Sequence, residues 1–407
     1  MTERRSGNAE RRLAHRKRPD FDQQACLGAT IASPLLLQWE VEMRNRIRIC
    51  TLAMTLALAV PASAQEHGFA EFGEEVQRQC DAGEFEGLVA VQVSGLTAYF
   101  FGCGLETTRT ARYKIFSTSK LLTALAVMSL VEKGRMELDA PLVRYLPEAP
   151  VGWSTVTIRH LLNHTSGLGD HTNELAGHFG LDHATAMQAL LRERAIAETL
   201  PSTPPGATWR YNNFGYELLA HAAARVDGRS FDKVLEDRVF APAGMKGAIV
   251  ELGGRVEGNL TSQSDPRLAS GWNREDKSGP REAAVSRSFV QLGAGAVHAT
   301  LEDMIALDRA IRGNRIVRAE TWDLMIKSSV PTSAANPGSA YGLGLMVSER
   351  AGVPSHGHTG GVNGYVSTFR RFPDQDATVI ALFNTGWSGT RWIEEAAGKA
   401  LAERTTP

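Results

Sequence analysis

Ser117-Thr118-Ser119-Lys120 sets a hydroxyl and an amine one helical turn apart. A serine is a weak nucleophile until a neighbour takes its proton, and a lysine three residues on along a helix lies on the same face, within reach of that hydroxyl. Burial strips an amine of the water that favours its protonated form, so a lysine on an apolar helix can serve as a base. A helix starting at this serine also turns backbone N–H groups toward the place where an oxyanion would form. The spacing alone is weak, since Ser230-Phe231-Asp232-Lys233 repeats it. Context separates the two: Ser117 follows strand-like Arg112 to Phe116 and leads into an all-round apolar stretch, whereas Ser230 opens a polar, amphipathic one.

Two further segments carry groups that such a pair could use. Tyr211-Asn212-Asn213 lies on a loop ahead of a helical pattern. A tyrosine beside a lysine can exchange a proton with a serine hydroxyl, and Asn213 can orient a substrate amide. His356-Gly357-His358-Thr359-Gly360-Gly361 stands just before a strand-like run; small residues there admit a substrate backbone, and a free N–H completes an oxyanion hole. His160, His164, His171, His178 and His183 fall close together, but no H-E-x-x-H motif and no cluster of acidic or cysteine ligands accompanies them, which disfavours a metal site. No G-x-S-x-G occurs, which disfavours the α/β-hydrolase route to a reactive serine.

The elements that must position these residues follow from periodicity. A helix is expected near Phe69 to Arg78, then a hairpin of Leu88 to Val93 and Thr97 to Phe101 turning at Ser94-Gly95. Ser119 to Val131, with Leu121, Leu122, Leu125, Val127, Met128 and Leu130, reads as a fully buried helix stopping at Gly134. Helices are expected at Ala184 to Thr199, Gly215 to Val226, Phe231 to Arg238 and Leu301 to Arg312. Strands follow at Tyr341 to Val347, Gly364 to Phe372 and Thr378 to Phe383, with a closing helix from Thr390 to Glu403. Strands at both ends around a helical middle indicate an α+β fold: an antiparallel sheet built from both termini, residues 65–130 and 300–407, flanked by helices and interrupted by a mostly helical insertion, residues 131–299.

The chain has 407 residues, with 44 Lys+Arg against 45 Asp+Glu. No basic excess is present to neutralise phosphates, so nucleic acid is not an expected partner. Residues 1–42 form a basic, polar stretch without amphipathic period and read as a gene-start artefact or disordered extension. From Met43 come a positive segment, an apolar run from Ile49 to Val60 too short to span a bilayer, and Ala62-Ser63-Ala64. These are the three parts of a signal peptide over 43–64. Cleavage would leave 34 basic and 39 acidic residues, a net charge of −5, in an exported, periplasmic or secreted protein with no membrane attachment. Cys80 and Cys103 would remain, brought near one another by the hairpin, either paired or as separate buried thiols.

In order, S-x-x-K, Y-x-N and H-T-G resemble the motifs of the penicillin-recognising serine hydrolases, in particular the β-lactamase-related group of class C β-lactamases, D-alanyl-D-alanine carboxypeptidases and β-lactamase-like carboxylesterases. Tyr113-Lys114-Ile115-Phe116, Leu138-Asp139-Ala140-Pro141, Ile158 to Leu168, Ala241 to Met245, Tyr341-Gly342-Leu343-Gly344 and Asn384 look like the same family, over roughly Phe69 to Ala402. The resemblance implies the β-lactamase/transpeptidase-like fold, no cofactor, and a small-molecule or peptide substrate, and it leaves the oligomeric state open. It implies Ser117 as acylated nucleophile, Lys120 as its base, Tyr211 as proton shuttle, and Asn213, His358, Thr359 and Gly360 toward the substrate. The N–H groups of Ser117 and Gly361 would form the oxyanion hole. His358 stands where efficient β-lactamases of this pattern usually carry lysine, which leans the reading toward an esterase or D-Ala-type peptidase over a strong β-lactamase. A β-lactamase proper and a non-catalytic penicillin-binding sensor are the alternatives. N-terminal sequencing of the exported protein should begin near Gln65; a start well inside or before 43–64 would contradict the signal-peptide reading.

Overall fold

Successive side chains along Gly87–Val93 point to opposite faces of a sheet, and both faces are covered: Leu88 and Ala90 enter one apolar cluster, Val89 and Val91 another. Ala377–Phe383 behaves alike, with Ile380 and Leu382 on the first side and Val379, Ala381 and Phe383 on the second. Strands apolar on both faces therefore lie at the centre of the molecule.

The structure is a computed structural model and describes residues 69–104, 107–178, 181–252, 267–274, 280–282, 291–335, 338–362, 364–386 and 389–405. The signal-peptide and extension expectations over 1–64 lie outside these residues. In chain order the strands are β1 Gly87–Val93, β2 Leu96–Cys103, β3 Tyr113–Lys114, β4 Ile249–Val250, β5 Trp272–Arg274, β6 Pro280–Glu282 and β7 Val297–Ala299. There follow β8 Val330–Pro331, β9 Ala340–Tyr341, β10 Met346–Arg350, β11 Val353–Val362, β12 Tyr365–Phe372 and β13 Ala377–Phe383. The main helices are α1 Ala70–Asp81, α2 Ser119–Glu132, α3 Ile158–Leu162, α4 His183–Arg192, α5 Asn213–Asp227, α6 Leu301–Arg312 and α7 Arg391–Thr405.

The large sheet has the order β2-β1-β13-β12-β11-β10-β9-β8, antiparallel throughout, while β3-β7-β4 form a small second sheet. The fold is thus α+β, with strands from both ends of the described chain meeting at β1 and β13. α1 and α7 share one apolar cluster with the sheet, through Phe72, Val76, Ile393 and Leu401; α2, α5 and α6 share the other. Cys80 and Cys103 are joined by a disulfide, with Cα atoms 5.9 Å apart, tying the end of α1 to the end of β2. No described helix is long and apolar enough to cross a membrane.

α2 is what its composition requires. All six of its large apolar side chains from Leu121 to Leu130 are buried, and so are Ser119 and Lys120. Three features differ from expectation. The helix expected over 184–199 breaks at Glu193, whose ψ of 135° is extended, and resumes over Arg194–Ala197. The expected strand 341–347 splits into β9 and β10, because Gly344 takes φ +86° and donates its N–H to Leu162 O. The H-T-G segment is not a loop before a strand; it lies inside β11, whose three glycines weaken the strand signal.

Candidate active site

Strand β3 delivers the chain into a tight turn, Phe116–Thr118, and α2 begins at Ser119. Phe116 takes φ +41°, a left-handed conformation that costs a non-glycine residue about 1–3 kcal/mol and persists only where surrounding structure enforces it. The enforcing contacts come from two strands. Ser367 Oγ on β12 donates to Ile115 O (2.8 Å) and lies 2.9 Å from Thr118 Oγ1. Next to β3, Ile115 N donates to Val297 O and Val297 N donates to Ser119 Oγ. The turn leaves Ser117 half-buried and reachable among buried neighbours.

Lys120 is fully buried. Its Nζ donates to Ser117 Oγ at 3.2 Å and to Ala294 O at 3.0 Å, and lies 4.9 Å from the Tyr211 ring centre and 5.6 Å from that of Tyr216. Tyr211 precedes α5, which Asn212 caps by accepting from Gly215 N while its Nδ2 donates to Leu168 O and Gly169 O. The cap pulls Asn212 inward and leaves Asn213 half-buried at the rim. The structure therefore brings Ser117, Lys120 and Tyr211 together. The repeat at Ser230 and Lys233 goes elsewhere: Lys233 pairs with Glu236, both side chains more than half exposed.

On β11 burial alternates, with His358 and Gly360 inward and Thr359 and Gly361 accessible. This corrects two expectations. The backbone that approaches Gly360 is the protein's own, since a methyl group built there would lie 2.0 Å from Ile115 O; the glycine lets β11 close on the turn bearing Ser117. His358 does not face outward toward a substrate carboxylate. It is fully buried, its Nδ1 donates to Thr359 O (2.6 Å), and its Nε2 accepts from Tyr341 Oη (2.8 Å). Burial first, then the nearby Lys120, pushes this imidazole down to about 3.

Sequence reasoning gave no role to His164 or Tyr341. His164 is buried with φ +60°, and its ring lies 4.4 Å from Tyr211, 5.1 Å from Tyr216 and 4.5 Å from Tyr341 between centroids. Asn212 N donates to His164 Nδ1, which places the proton of the neutral ring on Nε2. Burial, then Lys120, then His358 hold His164 well below its ordinary value. The available signal was a polar residue set in an apolar helix end, Leu161-Leu162-Asn163-His164. The other clustered histidines take separate partners: Thr157 N for His160, Glu174 for His171, Glu193 for His178 and Glu217 for His183.

The sequence model of the Beta-lactamase family, so described, matches residues 72–403. "Penicillin-binding protein 4" of Amycolatopsis lactamdurans is 28% identical over 316 residues, 74% of this chain and 79% of that protein. "Esterase EstB" of Burkholderia gladioli is 28% identical over 312 residues, 68% of this chain and 78% of that protein. Other relatives are longer, the chain spanning about three fifths of two Bacillus subtilis penicillin-binding proteins and about half of several D-aminopeptidases. Among solved structures, a D-stereospecific amidohydrolase from Streptomyces shares the fold with a TM-score of 0.63 at 24% identity, over 76% of this chain and 92% of that one.

The depressed histidines set a pH dependence of stability. Each is neutral in the folded chain and takes up a proton on unfolding once the pH falls below the ordinary value of about 6.5. The unfolded state then binds more protons, so stability is full above about 6.5 and declines as pH falls toward the folded value, about 3 for both His356 and His358. Urea-unfolding free energies should be level between about pH 8 and 7 and drop by more than about 1 kcal/mol by about pH 5.

Proposed function

Because this chain belongs to the Beta-lactamase family and is a serine hydrolase of it, we propose that it is exported and hydrolyses uncharged esters or amides through an acyl-enzyme on Ser117. The observation that carries this reading is the 3.2 Å hydrogen bond from Lys120 Nζ to Ser117 Oγ inside a buried aromatic enclosure. Lys120, with Tyr211 beside it, takes the Ser117 proton as Oγ attacks the acyl carbon. The N–H groups of Ser117 and Gly361 hold the resulting oxyanion, a contribution worth about 100-fold or more per donor. Tyr211 gives its hydroxyl proton to the departing alcohol or amine and is reprotonated by Lys120, and water then attacks the acyl-enzyme with the same groups in reverse. Asn213 and Thr359, at the accessible rim, contact the acyl side.

The preference for uncharged substrates rests on position 358. A histidine buried there, bonded at both nitrogens and neutral near pH 7, supplies no fixed charge for a β-lactam or peptide carboxylate. The relative named as an esterase fits this direction. Export is supported by the Cys80–Cys103 disulfide, which persists in an oxidising compartment.

The protein should turn over a p-nitrophenyl short-chain ester at least about 100-fold faster, in kcat/KM, than a chromogenic cephalosporin or a D-Ala-D-Ala peptide, and Ser117→Ala should lower that rate by about 1,000-fold or more. Turnover surviving Ser117→Ala would contradict the mechanism. Stoichiometric labelling without turnover on all three substrates would favour a sensor.

A further inference from the structure

A carboxylate lies buried in the middle of α5. Glu217 has no solvent exposure and is flanked on its helix by Phe214, Tyr216, Leu218 and Leu219, all fully buried. A carboxylate in such surroundings is costly unless its oxygens are bonded. Two partners lie on a turn distant in sequence and one on α4: Oε1 accepts from Ala294 N (2.9 Å), and Oε2 accepts from Gly293 N (3.1 Å) and from His183 Nε2 (2.9 Å).

The same two residues touch α2 through their carbonyls. Ala294 O accepts from Lys120 Nζ at 3.0 Å, and Gly293 O accepts from Thr123 Oγ1 at 2.6 Å. Gly293 is obligatory here, because a methyl group on it would lie 2.1 Å from Tyr216 O. The turn is therefore clamped from α5 on its N–H side and from α2 on its carbonyl side. The Gly293–Ala294 peptide is thus held at both ends, its N–H by Glu217 and its carbonyl by Thr123, and this fixes the residue whose own carbonyl meets Lys120.

We propose that Glu217 is a positioning residue for the Lys120–Ser117 pair, holding the turn by the N–H groups of Gly293 and Ala294 so that Ala294 O stays where it aims the lysine amine at the serine. This rests on the reading of Lys120 as the base of Ser117. Tyr211, Tyr216, His164 and His358 face the amine from the other elements and fix the remainder of its surroundings. They do not bond its position along the Ser117 to Ala294 line, which is set by the two acceptors alone among the described residues.

The test is Glu217→Gln in the full mature protein, whose amide keeps the volume but presents an NH2 to one of the peptide N–H groups, together with Thr123→Val, which frees Gly293 O from the opposite side. Three quantities are read: kcat and KM on p-nitrophenyl acetate, and the rate at which a fluorophosphonate labels Ser117. For Glu217→Gln, kcat and the labelling rate should fall in parallel by about tenfold to a hundredfold, with KM within about threefold of the wild type, because the amine is misaimed while the substrate rim is untouched. Thr123→Val should show the same split at a smaller size, so the proposal stays readable even where Glu217→Gln does not fold. A folded Glu217→Gln with wild-type kcat and labelling rate would overturn it, as would a loss confined to KM, or an unchanged split in Thr123→Val. Failure of the underlying reading is distinct, since it would appear in the wild type as a Ser117 that does not label.

Discussion

An amine with no access to water must find its partners inside the protein, and Lys120 is such an amine. Leaving a polar group of this kind unbonded costs several kcal/mol, a large part of the net stability of an ordinary domain. Its Nζ is met by Ser117 Oγ from the preceding turn, by Ala294 O from a turn well over a hundred residues away, and by the faces of Tyr211 and Tyr216. Satisfying the lysine therefore requires α2, α5 and the 291–295 turn to be in register at once. The apolar character of α2 supplies the burial that makes this demand strict.

Around that amine the protein excludes other charge. His164 and His358 are held neutral by burial and by the lysine itself, and their tautomers are set by Asn212 N–H on one and by Thr359 O and Tyr341 Oη on the other. Away from water each such bond is stronger than in solvent, while Ser117, Asn213, Thr359 and Gly361 keep some exposure. The left-handed Phe116 fits the same account. Strain is kept at the serine turn because Ser367 and Val297, from two different sheets, hold it there.

The fold class was legible in the sequence, and so was the proximity of Ser117, Lys120 and Tyr211. Leu121 to Leu130 reads as buried helix because no face of it is polar, and the short, β-branched apolar runs of β1 and β13 read as strand. Ser117 and Lys120 were findable because their spacing is set by one helical turn. What was not legible depends on tertiary contact. β11 was missed because Gly357 and Gly360 serve close approach to β12 and to Ile115, a purpose that strand propensity does not register. His358 was placed on the wrong side because motif order says nothing of alternation within a strand not yet recognised. His164, Tyr341 and Glu217 carry no local motif, and only the packing of separate segments gives them a role.

The central claim is that Ser117 becomes covalently acylated because Lys120 activates it from within this enclosure. Its most direct measurement is mass spectrometry of protein quenched with acid within milliseconds of mixing with a p-nitrophenyl ester, followed by proteolysis. The account predicts an added acyl mass confined to the peptide containing Ser117 in the wild type, and its loss in a folded Lys120→Ala variant. An acyl group on any other residue, or undiminished acylation of Ser117 without the lysine, would contradict it.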